Sequence, residues 1–332
     1  MNLDRLTDVV FVPGMTGREE MIRAKIIEML PEGVEAFVDD LGNVMVEAGN
    51  GESTIAFAAH MDEIGLLVSG INSDGSLNFK KVGGIADELL IGRHLDVITS
   101  SGESIDGVIG MTPPHLREKA DLSWQNLVID VGTSSRDETS RIGIDVLDYA
   151  VFRKQISILN DKFVVVRSLD DRSGCLALLD LLDMLVKVNL NRRVVLAWTV
   201  QEEIGLIGAR ALSEKLKPDL FFPVDSFACC SRLTGDVKPG NGAVLRMSDT
   251  SSLGDYGLGK RLMEFAKEKE IPLQVGVTGG GTDGIPFQQK GTKMVPLALA
   301  VKYLHSETEY ISMEDYDNLL RLMYLISTEF TL

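Results

Sequence analysis

Eight residues of this chain carry side chains able to hold a cation or move a proton, and they stand in comparable places. His60 and Asp62 follow the apolar run "IAFAA", Asp170 and Asp171 follow "FVVVRSL", Glu202 and Glu203 follow "VLAWTVQ", Asp225 follows "LFFPV", and His305 follows "VPLALAVKYL". Each run is rich in β-branched, aromatic or small apolar residues and reads as a buried strand. Ligands of open α/β sheets bind beyond the carboxyl ends of the strands. Five such ends bearing imidazole or carboxylate therefore predict one convergent site. Carboxylates gathered in a dry pocket cannot all ionise unless a cation compensates them. Mixed nitrogen and oxygen donors suit zinc first, with cobalt or manganese as alternatives. Three carboxylates and two imidazoles suffice for two divalent metal ions if one carboxylate bridges them. Taken singly, each residue has a plainer reading. A histidine on a strand is usually a satisfied core residue, and an aspartate before "RSGCLALL" is a good helix N-cap. The repetition at five ends, using two of only four histidines, favours the site.

The elements that must position these residues follow from periodicity. "TGREEMIRAKIIEML" opens with Thr16 and, three residues on, Glu19, a capping-box pattern before a helical run. "STIAFAA" is a strand. From about 64 to 160 the texture changes to short β runs ("LLVSGI", "HLDVITS", "GVIGM", "NLVIDVG", "YAVFRKQ") between Gly, Asp and Ser turns, the pattern of a small all-β domain. Beyond it strands and helices alternate again. "RSGCLALLDLLDMLVKV", "LIGARALSEKL", "GLGKRLMEFAKEKE" and "SMEDYDNLLRLMYLIS" read as helices, and "RRVVLAWTV", "PDLFFPVD", "IPLQVGVT" and "MVPLALAV" as strands. The expected fold class is α/β, a helix-covered sheet with an inserted small all-β domain. Residues 1–63 and 161–332 make the discontinuous α/β domain and 64–160 the insert.

Composition narrows the function. Lys and Arg total 33 against 49 Asp and Glu, a formal charge of −16, which argues against nucleic acid or an anionic membrane as partner. No apolar run reaches about 18 residues, so no spanning helix is expected. "MNLDRLTDVV" is too acidic and too short in apolar length for a signal peptide. Cys175, Cys229 and Cys230 have no metal-binding spacing and read as reduced thiols in a cytoplasmic chain, the adjacent pair as a buried strand detail.

The segments "AAHMDEIGLLV", "SLDDRSGC", "TVQEEIGLIGA", "PVDS", "GGGTDG" and "YLHS" occur in that order. Together they resemble the dinuclear metallo-aminopeptidases of the tetrahedral (TET) type, which include glutamyl and deblocking aminopeptidases and some members labelled endoglucanase. The resemblance implies a zinc-exopeptidase type of mixed sheet. It implies that His60 and Asp225 bind one metal, Glu203 and His305 the other, and Asp170 both. Glu202 becomes the general base, and Asp62 orients the imidazole of His60. The Asp170–Asp171 peptide is expected to be cis. Gly281, Thr282 and Asp283 fall in the substrate-binding segment. Short peptides are the implied substrates, and residues 64–160 the surface through which dimers form and build a hollow dodecamer. Because neighbours on an extended chain face opposite ways, Glu203 can face a metal while Glu202 faces the substrate. Gly284 departs from the alanine expected after "GGGTD". His94 and His115, in the insert, are expected to be structural or interfacial.

Two rival readings carry different expectations. A glycoside hydrolase needs two carboxylates about 5–10 Å apart across a sugar and no metal, which leaves the histidines without a task. Aromatic residues are only 6% of the chain, so no aromatic sugar platform is evident. A non-catalytic assembly protein on the same scaffold would be free to lose Glu202.

Overall fold

A computed structural model describes residues 1–116 and 122–331. Its centre is a nine-stranded mixed sheet. Four parallel neighbours form the middle, in the order Arg193–Thr199, Thr54–His60, Leu220–Ala228 and Leu297–Val301. Val44–Ala48 joins antiparallel on one side, and Ala243–Ser248 on the other, where it pairs in parallel with Leu273–Val277. The central strands are apolar along nearly their whole length, as strands buried on both faces must be.

Helices cover both faces. Leu3–Val10, Glu20–Glu28, Tyr256–Glu268 and Met313–Thr328 pack over one side, around the helix Leu169–Leu185. That leucine-rich helix is buried almost all round, so it has a strong helical sequence but no polar stripe. Ile207–Lys215 and Gly284–Gln289 cover the other side, where Phe221 stacks on Phe287 at 3.7 Å. Gly284 sits where an added Cβ would lie 2.9 Å from both Met294 and Pro223, so glycine at this position has a packing reason. No helix among the described residues is long and apolar enough to cross a membrane.

The β-rich segment has a sheet and a core of its own. Five antiparallel strands run in the order Leu77–Val82, Gly65–Ile71, Tyr149–Phe152, Arg93–Ile98, Ser104–Ile109 around Leu66, Val68, Leu95, Val97 and Phe152. "NLVIDVG" is not a full strand. Ile129 and Asp130 make single bridges to Leu77 and Val108 on the two edge strands. Ser157–Leu159 leaves this sheet and pairs with Phe163–Val165, which pairs with Tyr310–Ser312. The expectation of five ends from one sheet is therefore corrected: Asp170 enters the site from this small three-stranded sheet.

The capping box is also corrected. The helix begins at Glu20 with no side-chain cap. Thr16 instead donates to Asp62 Oδ2 at 2.9 Å, and Glu19 accepts from the backbone N–H of Gln201 at 3.1 Å. The tertiary demand of the strand ends outcompetes the local motif.

Candidate active site

The strand Thr54–His60 delivers His60 at its last residue. The imidazole Nδ1 lies 3.2 Å from the backbone oxygen of Asp62, which fixes that nitrogen as donor and turns Nε2 outward, 3.3 Å from Asp170 Oδ1. His305 is the mirror case. Its Nδ1 lies 2.9 Å from the carbonyl of Gly84 in the insert, and its Nε2 lies 3.2 Å from both Asp170 Oδ2 and Glu203 Oε1. A Cβ on Gly84 would come within 3.2 Å of that ring, a tight contact that would press on the imidazole. Asp170 thus presents one oxygen to each imidazole.

Asp225 is not at a strand end as expected. It lies inside Leu220–Ala228, two residues beyond the last pair with the His60 strand, Pro223 with Ala58. There the two strands part, and the gap opens the cleft. The Asp170–Asp171 peptide is cis. Asp170 turns into the cleft, while Asp171 Oδ1 accepts from Gly174 N–H at 3.1 Å and caps the helix. The two neighbouring aspartates therefore face different ways, Asp170 lining the cleft and Asp171 capping the helix.

Glu202 and Glu203 are not separated by strand alternation. The strand stops at Thr199, Gln201 has φ 55°, and Gly205 N–H donates to the Glu202 carbonyl in a turn. The turn is held by Asp62, whose two oxygens accept from the backbone N–H groups of Glu202 at 3.0 Å and Glu203 at 3.3 Å.

His60, Asp170 and Asp225 offer donor atoms within 4.8 Å of one another, as do Asp170, Glu203 and His305. These are mixed nitrogen and oxygen sets sharing one carboxylate, and they fit divalent cations. The charge balance fits as well. Burial, then Asp170, pushes Asp225 up to about 7. Burial, then Asp225 and Glu203 against the opposing His60, holds Glu202 well above the usual carboxylate range. Against the burial that would raise it, hydrogen bonds from His305 and His60 hold Asp170 well below that range. A nest of carboxylates that resist ionising together is a nest that a cation stabilises.

Gly281 lines the cleft, a cavity of about 120 Å³ that also includes Glu202, Glu203, Asp225 and Arg246. It adjoins a space of about 520 Å³ bordered by Leu206, Arg210 and Ile285. Thr282 and Asp283 lie buried beneath this wall, with Asp283 accepting from the Thr199 hydroxyl. A larger cavity, about 830 Å³, opens at the amino ends of the strands and holds none of these residues. His94 and His115 are exposed, away from both donor sets.

Sequence reasoning missed three supports. Glu309, buried, accepts from His305 N–H at 2.8 Å and Asp170 N–H at 3.3 Å, and burial, then Asp170, raises it to about 8. Glu63, buried, binds Lys154 of the insert at 2.7 Å, Ser168 at 2.7 Å and Arg172 at 3.4 Å. Arg246 donates to the carbonyls of Ser226, Gly279 and Gly281 and holds the glycine wall in place. "MDE" placed Glu63 beside a suspected ligand, which was the only available signal. Nothing local marked Glu309 or Arg246.

Comparison with known proteins converges on one family. Residues 42–322 match the family described as M42 glutamyl aminopeptidase. A lysyl aminopeptidase of Pyrococcus furiosus is 32% identical over 95% of this chain and 93% of its own length. The TET1 peptidase of Pyrococcus horikoshii, described as assembling into a tetrahedron or a large octahedral shell, superposes with TM-score 0.95 at 46% identity over 99% of each chain. A Thermotoga maritima protein described as an endoglucanase superposes with TM-score 0.78 at 26% identity, over 98% of this chain and 96% of its own.

Proposed function

The chain belongs to the M42 glutamyl aminopeptidase family and is a metal-dependent aminopeptidase; from that premise we propose how its own residues divide the work. His60 and Asp225 hold one divalent cation, Glu203 and His305 the second, and Asp170 both. The observation that carries this reading is the placement of the two Asp170 oxygens, one toward each imidazole. Zinc is the expected metal, with cobalt or manganese as alternatives. Bound there, the cations would polarise the scissile carbonyl and lower the pKa of a water toward ~7.

Glu202 is the general base. Its carboxylate lines the cleft and makes no hydrogen bond or ion pair with the described residues, so it is free to exchange a proton. It accepts the proton of the attacking water and returns it to the leaving amine as the C–N bond breaks. Asp62 fixes both the His60 tautomer and the Glu202–Glu203 turn. The acidic cleft favours the ammonium of a free peptide N-terminus, and the wall at Gly281 bounds the substrate side.

Residues 64–160 are the proposed dimerisation domain, and dimers the building blocks of a dodecamer. A separate hydrophobic core and the shells described for the horikoshii relative support this. The cytosol is the proposed compartment, on the three unpaired thiols.

The deciding assay sets metal-supplemented release from a panel of amino-acid arylamides against release of reducing ends from carboxymethyl-cellulose. Arylamide cleavage abolished by chelator is expected. Metal-independent cellulose cleavage without amidase activity would overturn the reading.

A further inference from the structure

The strand that carries Asp225 ends at Ala228, which lines the cleft. The next two residues are Cys229 and Cys230, outside the strand, with Cys230 exposed; they are not the buried strand detail expected from the sequence. Neighbouring side chains on an extended chain point opposite ways. Here Cys230 has φ 66°, a left-handed conformation uncommon for a residue with a Cβ. The chain turns, and the two sulfurs face each other at 3.1 Å. Cys229 is half-buried, and its backbone N–H is held by the Val301 carbonyl at 3.2 Å.

We propose that Cys229 and Cys230 are a reversible two-electron redox site that closes to a disulfide between adjacent residues on exchange with a small disulfide of the glutathione class. Across a trans peptide adjacent Cα atoms stand about 3.8 Å apart, below the roughly 4.4–6.8 Å usual for disulfides. A strained bond of this kind is oxidising and easily reduced, which suits a switch rather than a structural staple. The exposed Cys230 is the entry point. Its thiolate attacks one sulfur of the small disulfide and releases one small thiolate, leaving a mixed disulfide. Cys229, kept protonated at rest by burial and by Cys230, then loses its proton to solvent. It attacks Cys230 Sγ and expels the second small thiolate. Two protein thiols become one disulfide, and one small disulfide becomes two thiols. Cys175, fully buried and hydrogen-bonded to the His60 carbonyl, is out of reach.

The test uses the full-length, metal-loaded protein. It is incubated with oxidised glutathione, blocked with iodoacetamide and mapped by peptide mass. The wild-type peptide containing residues 229 and 230 should lose two hydrogens and both alkylation sites, and dithiothreitol should restore them. Cys229→Ser should instead keep one glutathione on Cys230, and Cys230→Ser should take up none at Cys229. The idea fails if both wild-type thiols remain alkylatable. It also fails if wild type keeps as much glutathione as Cys229→Ser, or if the new disulfide joins two protomers. Circular dichroism and assembly mass confirm that both variants are folded before they are compared.

Discussion

The backbone N–H of Glu202 donates to Oδ1 of Asp62 at 3.0 Å, so the residue beside the first imidazole also sets the turn that carries the base. Asp62→Asn keeps the size but loses one acceptor oxygen against three donors, the Glu202 and Glu203 amides and the Thr16 hydroxyl. We expect a 10- to 100-fold loss in kcat/KM or metal affinity, as for other groups that orient metal ligands, with the fold intact. Unchanged kinetics and unchanged metal titration would remove Asp62 from this role.

The paired glutamates should fail differently. Glu202→Gln keeps the shape but cannot take a proton, so metal content should persist while turnover falls roughly 10²–10⁴-fold. Glu203→Gln removes an anionic donor beside His305, so the second metal should weaken and excess zinc or cobalt should partly restore activity. Metal stoichiometry measured beside turnover decides it. Metal loss in Glu202→Gln with retention in Glu203→Gln reverses the assignment.

Glu309 accepts from the backbones of both His305 and Asp170. Glu309→Ala leaves the buried N–H of Asp170 and the part-buried N–H of His305 without this acceptor, a cost on the order of 1–3 kcal/mol for the buried one. The loop bearing His305 should loosen more than the strand bearing His60. Calorimetric metal titration should show one weakened and one near-normal site, whereas equal loss at both would count against a local role.

Glu19 supplies a pH dependence. Burial, then the charge of Asp62, raises it from 4.5 to about 7. Between those values the folded state binds the extra proton, so the contribution of Glu19 to stability is present below pH 4.5 and is lost as pH rises through 7. Glu19→Gln keeps an acceptor for Gly17 and Gln201 and never ionises. Relative to wild type it should gain on the order of 1–3 kcal/mol between pH 5 and pH 8, read from urea unfolding at each pH. A difference that does not move with pH would show that the wild-type carboxyl is not raised.

The convergence of His60, Asp170, Glu203 and His305 could be anticipated because each stands beside an apolar run whose period and length mark an element, information held within about ten residues of chain. The same local reading picked out the β-rich stretch, from its change of texture, and the helices, from their spacing. It went wrong where identical local chemistry had two possible partners. Thr16 and Glu19 fit a capping box, yet they bind Asp62 and Gln201, which lie 46 and 182 residues away. Asp225 read as a strand end because sequence does not show where neighbouring strands part, which depends on the pairing of Pro223 with Ala58. Glu309 and Arg246 carried no signal at all, and Glu63 only its place after Asp62, since their meaning lies in contacts across the fold. Periodicity is local and survives in the sequence; the choice among hydrogen-bond partners is made by long-range register and packing, and only the tertiary structure decided it.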